Sequence, residues 1–276
     1  MSNRITLPER AAEDWTPVAV TERPKREALA AFPRWSRGRI HSPRVSVVIP
    51  THNEAENLPH VLPRVPAGIH ELIIVDGHSD DGSPAVARRL HPGARIVMQD
   101  RRGKGNALAC GFRAATGDVI VALDADGSTD PSEIPRFVAA LQDGADYVKG
   151  SRYLEGGGST DLSGLRSFGN RTLGLLVNVL FGTRYTDLCY GYNAFWRDCF
   201  DLVYRECDGF EVETVLNVRA ARAGLRISEV PSFEHERIHG TSNLRTMRDG
   251  SRVLRTIFRE RFDRTRPRLA VAPSRG

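Results

Sequence analysis

Asp118-Val-Ile-Val-Ala-Leu-Asp124-Ala-Asp126-Gly-Ser-Thr-Asp-Pro131 is the stretch that decides how this chain folds. An unbroken apolar run of strand length, Val119–Leu123, stops at two carboxylates one residue apart, Asp124 and Asp126. A Gly, a hydroxyl and Asp130-Pro131 follow, which is the chemistry of a turn opening a helix. An apolar run without polar alternation marks a strand buried on both faces, hence a parallel sheet with helices on either side. In extended backbone, side chains at i and i+2 point the same way. Both carboxylates can then reach one hard divalent cation, Mg²⁺ or Mn²⁺, with Ser128 or water completing the oxygen shell. Such cations use one or two carboxylates plus substrate phosphates, so the pattern points to a diphosphate-bearing substrate. Taken by itself, Asp-x-Asp also reads as a strand end with an Asx turn and a helix cap.

The same grammar repeats on both sides of this stretch. Val45–Pro50 and Leu72–Val75 are continuous apolar runs, and Ile96–Met98 is a shorter one. Turn chemistry and then a helical pattern follow each strand, over Glu54–Val65, Ser83–Leu90, Lys104–Ala115 and Ser132–Leu141. This alternation predicts an α/β fold with a mostly parallel central sheet flanked by helices. In open α/β sheets ligands sit beyond the carboxyl ends of the strands. Thr51-His52-Asn53-Glu54, Asp76 and the Asp124/Asp126 pair occupy those ends. After Arg152 the character changes. A loop with Gly156-Gly157-Gly158 leads to an apolar helix over 165–182, with Arg166 and Arg171 near its start. An irregular stretch rich in Tyr, Gly and Asn covers 186–195. A helix from Glu211 to Ala223 ends at Gly224, a favoured cap. A strand over Arg226–Phe233, a loop with His235, Arg237 and His239, and a basic helix from about Ser242 complete the pattern. There is no internal repeat.

The 276 residues suffice for one large domain, and 40% hydrophobic with 26% charged residues is ordinary for a globular protein. No apolar run approaches the ~20 residues that span a bilayer. The polar start predicts a cytoplasmic protein, free or resting at the inner face of the cell membrane. A net charge of +5, carried mostly by arginine, suits phosphate-rich ligands or an anionic membrane surface. It is too mild and too evenly spread for nucleic acid, and no recognition motif of that kind is present. Cys110, Cys189, Cys199 and Cys207 show no Cys-x-x-Cys spacing and read as free thiols. Residues 1–43, interrupted by Pro8, Pro17, Pro24, Pro33 and Pro43, read as a flexible N-terminal extension, and 259–276 as a basic C-terminal tail. The folded domain is expected over 44–258.

Taken in order, several segments resemble the family 2 inverting glycosyltransferases of the GT-A fold, most of all the dolichyl/polyprenyl-phosphate mannosyl- and glucosyltransferase branch. They are Val47-Val48-Ile49-Pro50-Thr51-His52-Asn53-Glu54; Ile73-Ile74-Val75-Asp76-Gly77 with Ser79 and Asp81-Gly82; Gly103-Lys104-Gly105-Asn106-Ala107; Leu123-Asp124-Ala125-Asp126; and Gly150-Ser151-Arg152-Tyr153. Asp187 with Gly191-Tyr192-Asn193-Ala194-Phe195, Gly209-Phe210-Glu211 and Glu229-Val230-Pro231 match the second half. The resemblance implies a nucleotide-sugar-binding half over 44–153 and an acceptor-binding half over 154–258. It places Pro50, Thr51, His52 and Glu54 against ribose and base, Asp76 on the base, and Lys104, at a helix start, against phosphate. Asp124, Ala125 and Asp126 would face the diphosphate and its Mg²⁺ or Mn²⁺, with Ser128 alongside. The chain departs from the commonest pattern at Gly77, where a second aspartate usually stands, and at Asn243, where the Gly240-Thr241-Ser242 loop often continues with Lys.

On this resemblance the expected reaction moves a hexose from a nucleotide-diphospho-sugar with inversion, the cation neutralising charge on the departing diphosphate. The expected acceptor is a polyprenyl phosphate, clamped by Arg152, Arg166 and Arg237. The rival is a hydroxyl on a small molecule or growing saccharide, which wants a protein base. Asp187, Glu211 and Glu213 are the candidates for that base. Glu211 and Glu213, two apart on a helix, cannot serve one proton together. The helix over 165–182 either packs on the domain or turns Leu175, Leu176, Val179, Leu180 and Phe181 toward an acceptor groove or the membrane interface. A sugar-1-phosphate nucleotidyltransferase would carry a Gly-rich basic loop after the first strand, and Pro50–Glu54 is not one. A non-catalytic binding protein would not need both Asp124 and Asp126.

Overall fold

β-branched residues set the centre of the molecule: Val45, Val47, Val48 and Ile49 are almost completely enclosed, as are Ile73, Ile74 and Val75 beside them. The computed structural model describes residues 16–21, 42–241 and 246–263. Its strands are β1 (Val18–Ala19), β2 (Val45–Thr51), β3 (Glu71–Asp76), β4 (Arg95–Met98), β5 (Val119–Ala122), β6 (Tyr147–Ser151), β7 (Gly158–Ser159), β8 (Asn193–Trp196), β9 (Ile227–Pro231) and β10 (Phe233–Glu234). Eight form one sheet in the order β1-β9-β6-β8-β5-β2-β3-β4, and β7 and β10 pair separately. β2 runs parallel to both β3 and β5, whereas β8 runs antiparallel between β5 and β6. The helices are α1 (Leu58–Val61), α2 (Ser83–Leu90), α3 (Lys104–Ala114), α4 (Ile134–Gln142), α5 (Gly164–Phe181), α6 (Phe200–Val203), α7 (Val212–Arg222) and α8 (Thr246–Phe262). This is the single α/β domain with a mostly parallel sheet that the apolar runs predict. α3 lies so close on the sheet that a Cβ at Gly111 would fall 2.3 Å from a Val48 methyl.

Five features depart from the pattern reading. The helix expected over 54–65 is one α-turn followed by a 3₁₀ turn over Leu62–Arg64. Pro59 starts the first, and Pro63 lacks the N–H that would continue it. The irregular stretch over 186–195 ends in β8, four enclosed residues that become a strand because strands pair on both of its sides. β6, quoted only for its Gly150-Ser151 end, likewise lies inside the sheet. Within the segment read as an N-terminal extension, β1 pairs antiparallel with Ser228 and Glu229 of β9, and Val20 is enclosed. Residues 1–15 and 22–41 of that segment, the tail from Arg264, and Ser242 and Asn243 lie outside the described residues. α8 continues through Phe262, into the stretch read as tail. Among the described residues no helix is long and apolar enough to cross a membrane.

Candidate active site

At the carboxyl ends of β2, β3 and β5 the chain opens a cavity of about 630 Å³. Pro50, Thr51, His52 and Glu54 line it after β2, Gly77 and His78 after β3, and Asp124, Ala125 and Asp126 after β5. Gln99, Arg102, Gly103 and Lys104 close it from the turn into α3. The β2 and β3 turns are locked together. Asn53, at φ 57°, donates its N–H to Ser79 Oγ at 3.0 Å and accepts from the Asp80 N–H at 3.0 Å. Asp76 is enclosed beside this cavity. Its Oδ2 accepts from the Ser79 N–H at 3.1 Å, while its Oδ1 is buried without a partner.

A second cavity of about 460 Å³ shares the wall of the first, formed by Lys104, Asp124, Asp126, Phe210 and Arg237. Lys104 Nζ lies 2.7 and 3.0 Å from the two Asp124 oxygens and 2.7 Å from Glu213. Burial works against the Lys104 charge, but Asp124 and Glu213 outweigh it and raise its pKa. Asp126 Oδ1 accepts from the backbone N–H of Ser128 at 3.0 Å and from its hydroxyl at 2.6 Å. Its Oδ2 accepts from Arg237 Nη1 at 3.2 Å, and Arg237 Nη2 donates to Glu54 at 2.5 Å. Burial raises the Glu54 pKa, against the hydrogen bonds from Asn57 and Arg237.

Asp124 and Asp126 retain 26% and 21% side-chain exposure and face both cavities. Two carboxylates beside a hydroxyl are the all-oxygen donor set that Mg²⁺ or Mn²⁺ accepts. No group of three or more His, Cys, Asp or Glu suited to a metal occurs among the described residues. The residues fit a cation whose remaining ligands come from substrate phosphate and water, not a closed protein cage.

Behind the second cavity, Arg152 forks onto Asp187 at 2.6 and 2.9 Å, donates to Glu234 at 2.9 Å and lies over the Tyr190 ring at 5.0 Å. Asp187 is fully enclosed and also accepts from Asn170 at 3.0 Å. Burial would raise its pKa, but the Arg152 guanidinium holds it below the ordinary value. This corrects its candidacy as a base: both oxygens are committed and Asp187 lines neither of these two cavities. Glu211 is also absent from both walls. Its Oε1 accepts weakly from the Gly209 N–H at 3.4 Å and its Oε2 is buried without a partner. Of the three candidate bases only Glu213 reaches the second cavity, where Lys104 engages it. Arg152 and Arg166 both line that cavity, Arg166 paired with Asp161 at 2.7 Å. Gln99, Arg102, Glu234 and Asn170 carried no signal in the sequence, because each arrives through the fold. Phe210 stood inside a matched segment without an assigned role.

The family model described as glycosyl transferase family 2 matches residues 46–203. The chain belongs to this glycosyltransferase family. The glycosyltransferase is 34% identical over 244 residues to the polyprenol monophosphomannose synthase of Mycolicibacterium smegmatis, covering 81% of this chain and 90% of that one. It is 34% identical over 213 residues to the undecaprenyl-phosphate mannosyltransferase of Micrococcus luteus, covering 73% and 87%. Among solved structures it is similar to glucosyl-3-phosphoglycerate synthase from Mycobacterium tuberculosis with Mn²⁺, UDP-glucose and phosphoglyceric acid bound. There the TM-score is 0.63 at 25% identity, covering 83% of this glycosyltransferase and 85% of that chain. The same neighbour has also been solved with Mg²⁺ and UDP. The architecture is that of the GT-A enzymes.

Proposed function

We propose that the protein transfers a hexose from a nucleotide-diphospho-sugar, of the GDP-mannose or UDP-glucose type, to a polyprenyl phosphate, with inversion and with Mg²⁺ or Mn²⁺. The observation that carries this reading is the pair of cavities sharing the Asp124/Asp126 wall. The first has the acceptors and turns suited to a nucleotide, with the unpartnered Asp76 Oδ1 beside it as an acceptor for a base N–H. The second is lined by Arg152, paired with Asp187 and Glu234, and by Arg166, paired with Asp161, and no carboxylate among Asp187, Glu211 and Glu213 is both free and facing it. A phosphate acceptor is anionic near neutral pH and needs no base, whereas an alcohol does. The cation, when bound, supplies Lewis-acid neutralisation of the departing diphosphate. Two relatives named for polyprenol phosphates support the same acceptor.

The outside of the acceptor-side cavity supports a lipid. Leu162, Leu165 and Leu173 at α5 and Val253 of α8 line it. On the outer faces of those helices Leu165, Phe168, Leu175, Val179, Leu254, Phe258 and Phe262 are exposed. Isolated apolar side chains on a surface are ordinary, but Phe168, Leu175 and Val179 share one face of α5, Leu254, Phe258 and Phe262 share one face of α8, and the two helices pack together, which suits a contact surface. We place the enzyme peripherally at a membrane face on this basis.

The decisive experiment offers GDP-mannose and UDP-glucose, with Mn²⁺, to purified protein together with a short polyprenyl phosphate or a set of alcohol acceptors. Transfer to the lipid phosphate, abolished in Asp126→Ala, is the expected result. Turnover with alcohols alone would overturn the acceptor assignment.

A further inference from the structure

Two cations in the shared wall stand in matching positions. Lys104 lies between Asp124 and Glu213, at 2.7 Å from each. Arg237 lies between Asp126, at 3.2 Å, and Glu54, at 2.5 Å. Each carboxylate expected to hold the divalent cation therefore already holds a protein cation. Each of those cations also has a second carboxylate to fall back on.

We infer that Lys104 and Arg237 are resident counter-ions of Asp124 and Asp126, which the divalent cation displaces onto Glu213 and Glu54, so that cation and donor diphosphate load as a coupled pair. This rests on the donor reading above. Two partly enclosed carboxylates without a counter-charge would repel each other across a low-dielectric wall, and the two protein cations remove that repulsion when no ligand is bound. A divalent cation arriving alone must break the Lys104 and Arg237 contacts and leave two positive side chains crowded beside it. A diphosphate reverses the balance, because it brings negative oxygens to the cavity that both side chains already line. Affinity for the metal then depends on the nucleotide, and by linkage the nucleotide's affinity depends equally on the metal. Glu213 and Glu54 are positioning residues in this scheme: they receive the displaced cations and touch no reacting atom.

The scheme predicts opposite signs for two neighbouring substitutions, which simple loss of structure does not. Lys104→Met frees Asp124, so Mn²⁺ binding without nucleotide tightens by about tenfold, and the further gain on adding UDP or GDP shrinks by a similar factor. Glu213→Gln leaves Lys104 only Asp124, so nucleotide-free Mn²⁺ binding weakens. In the Lys104→Met background, Glu213→Gln has no further effect. Binding is read from loss of the free-Mn²⁺ electron paramagnetic resonance signal, with and without each nucleoside diphosphate. Arg102→Met removes one charge from the same cavity wall, yet Arg102 is not among the partners of Asp124 or Asp126. Its Mn²⁺ affinity should stay within about twofold of the parent.

Equal tightening in Arg102→Met would reduce the effect to general electrostatics and overturn the inference. So would an unchanged or weaker Lys104→Met, or a Glu213→Gln that binds Mn²⁺ as the parent does. A parent protein that takes up no Mn²⁺ with either nucleotide would instead remove the metal reading itself, and the inference with it.

Discussion

Arg152 and Asp187 form a buried ion pair, and its members lie 35 residues apart in the chain, with Glu234 82 residues from Arg152. A buried guanidinium must be matched by carboxylates and a ring face, since an unpaired charge there is very costly. The sequence marks Arg152 through Gly150-Ser151-Arg152-Tyr153 as a phosphate ligand. The fold adds that its three guanidinium nitrogens are committed to Asp187 and Glu234 and its side chain is enclosed, so binding an acceptor phosphate through Arg152 requires one of those contacts to give way. Glu229, in the same interior, accepts from the Thr186 N–H and hydroxyl and from the Asp187 N–H at 2.7–3.1 Å. Burial nevertheless pushes its pKa up to about 7 from 4.5. An acid whose native pKa is raised binds more protons folded than unfolded between those values. Its stabilisation is complete below pH ~4.5 and is lost as pH rises through about 7. Denaturant melts of the parent and Glu229→Gln should therefore show the parent's relative stability falling between pH 5 and pH 8, by on the order of 3 kcal/mol. A pH-independent difference would return Glu229 to the ordinary carboxylate range.

Helices α5 and α8 pack together with both their outward faces apolar. The run over 165–182 predicts a helix but not its buried side, because Leu, Val and Phe occur all around it. Packing divides them: Leu173, Leu176, Leu180 and Phe181 lie against the core, and Leu165, Phe168, Leu175 and Val179 stay outside. On α8 the split is sharper. Val253, Ile257 and Glu260 face inward, Glu260 meeting Arg205, Arg219 and Arg222, while Leu254, Phe258 and Phe262 recur every fourth residue outside. Arg171, Arg255, Arg259 and Arg261 are exposed around them. Each phenylalanine moved from water into an apolar layer contributes roughly 1.5–3 kcal/mol. Replacing Phe168, Phe258 and Phe262 together by Ser should lower co-sedimentation with anionic phospholipid vesicles more than tenfold, with an unchanged melting temperature. Undiminished sedimentation would remove this face as the membrane contact.

At the scale of the whole molecule one sheet carries both halves of the enzyme, and its far edge is closed by β1 from near the start of the chain. Val20 is enclosed there, and Thr21 Oγ1 donates to the Leu225 carbonyl and accepts from the Ile227 N–H, both at 3.1 Å. A chain beginning at residue 42 should melt about 5 °C lower, since loss of one enclosed aliphatic side chain and its strand pairing removes about 2 kcal/mol. An unchanged melting curve would make the pairing energetically idle. Much of this architecture was legible beforehand. The runs at Val45–Pro50, Leu72–Val75 and Val119–Leu123 are contiguous, and a strand buried on both faces must be apolar residue after residue, so a local pattern suffices to read it. Asp124 and Asp126 were legible as a pair but their direction was not, because the strand ends at Ala122 and both stand in the turn beyond β5. β1 and β8 were not legible: each is too short for a period and is a strand only because another strand lies beside it. Nor was the pairing of charges. Arg237 meets Asp126 across 111 residues and Glu54 across 183, and which carboxylates are open, paired or sealed depends on distances that no local pattern encodes. The sequence by itself determined the buried parallel strands and the pair of carboxylates that follows one of them, because periodicity and spacing are properties of neighbours. Only the tertiary structure decided which cations hold those carboxylates and which acids are closed to substrate, because those are properties of contacts.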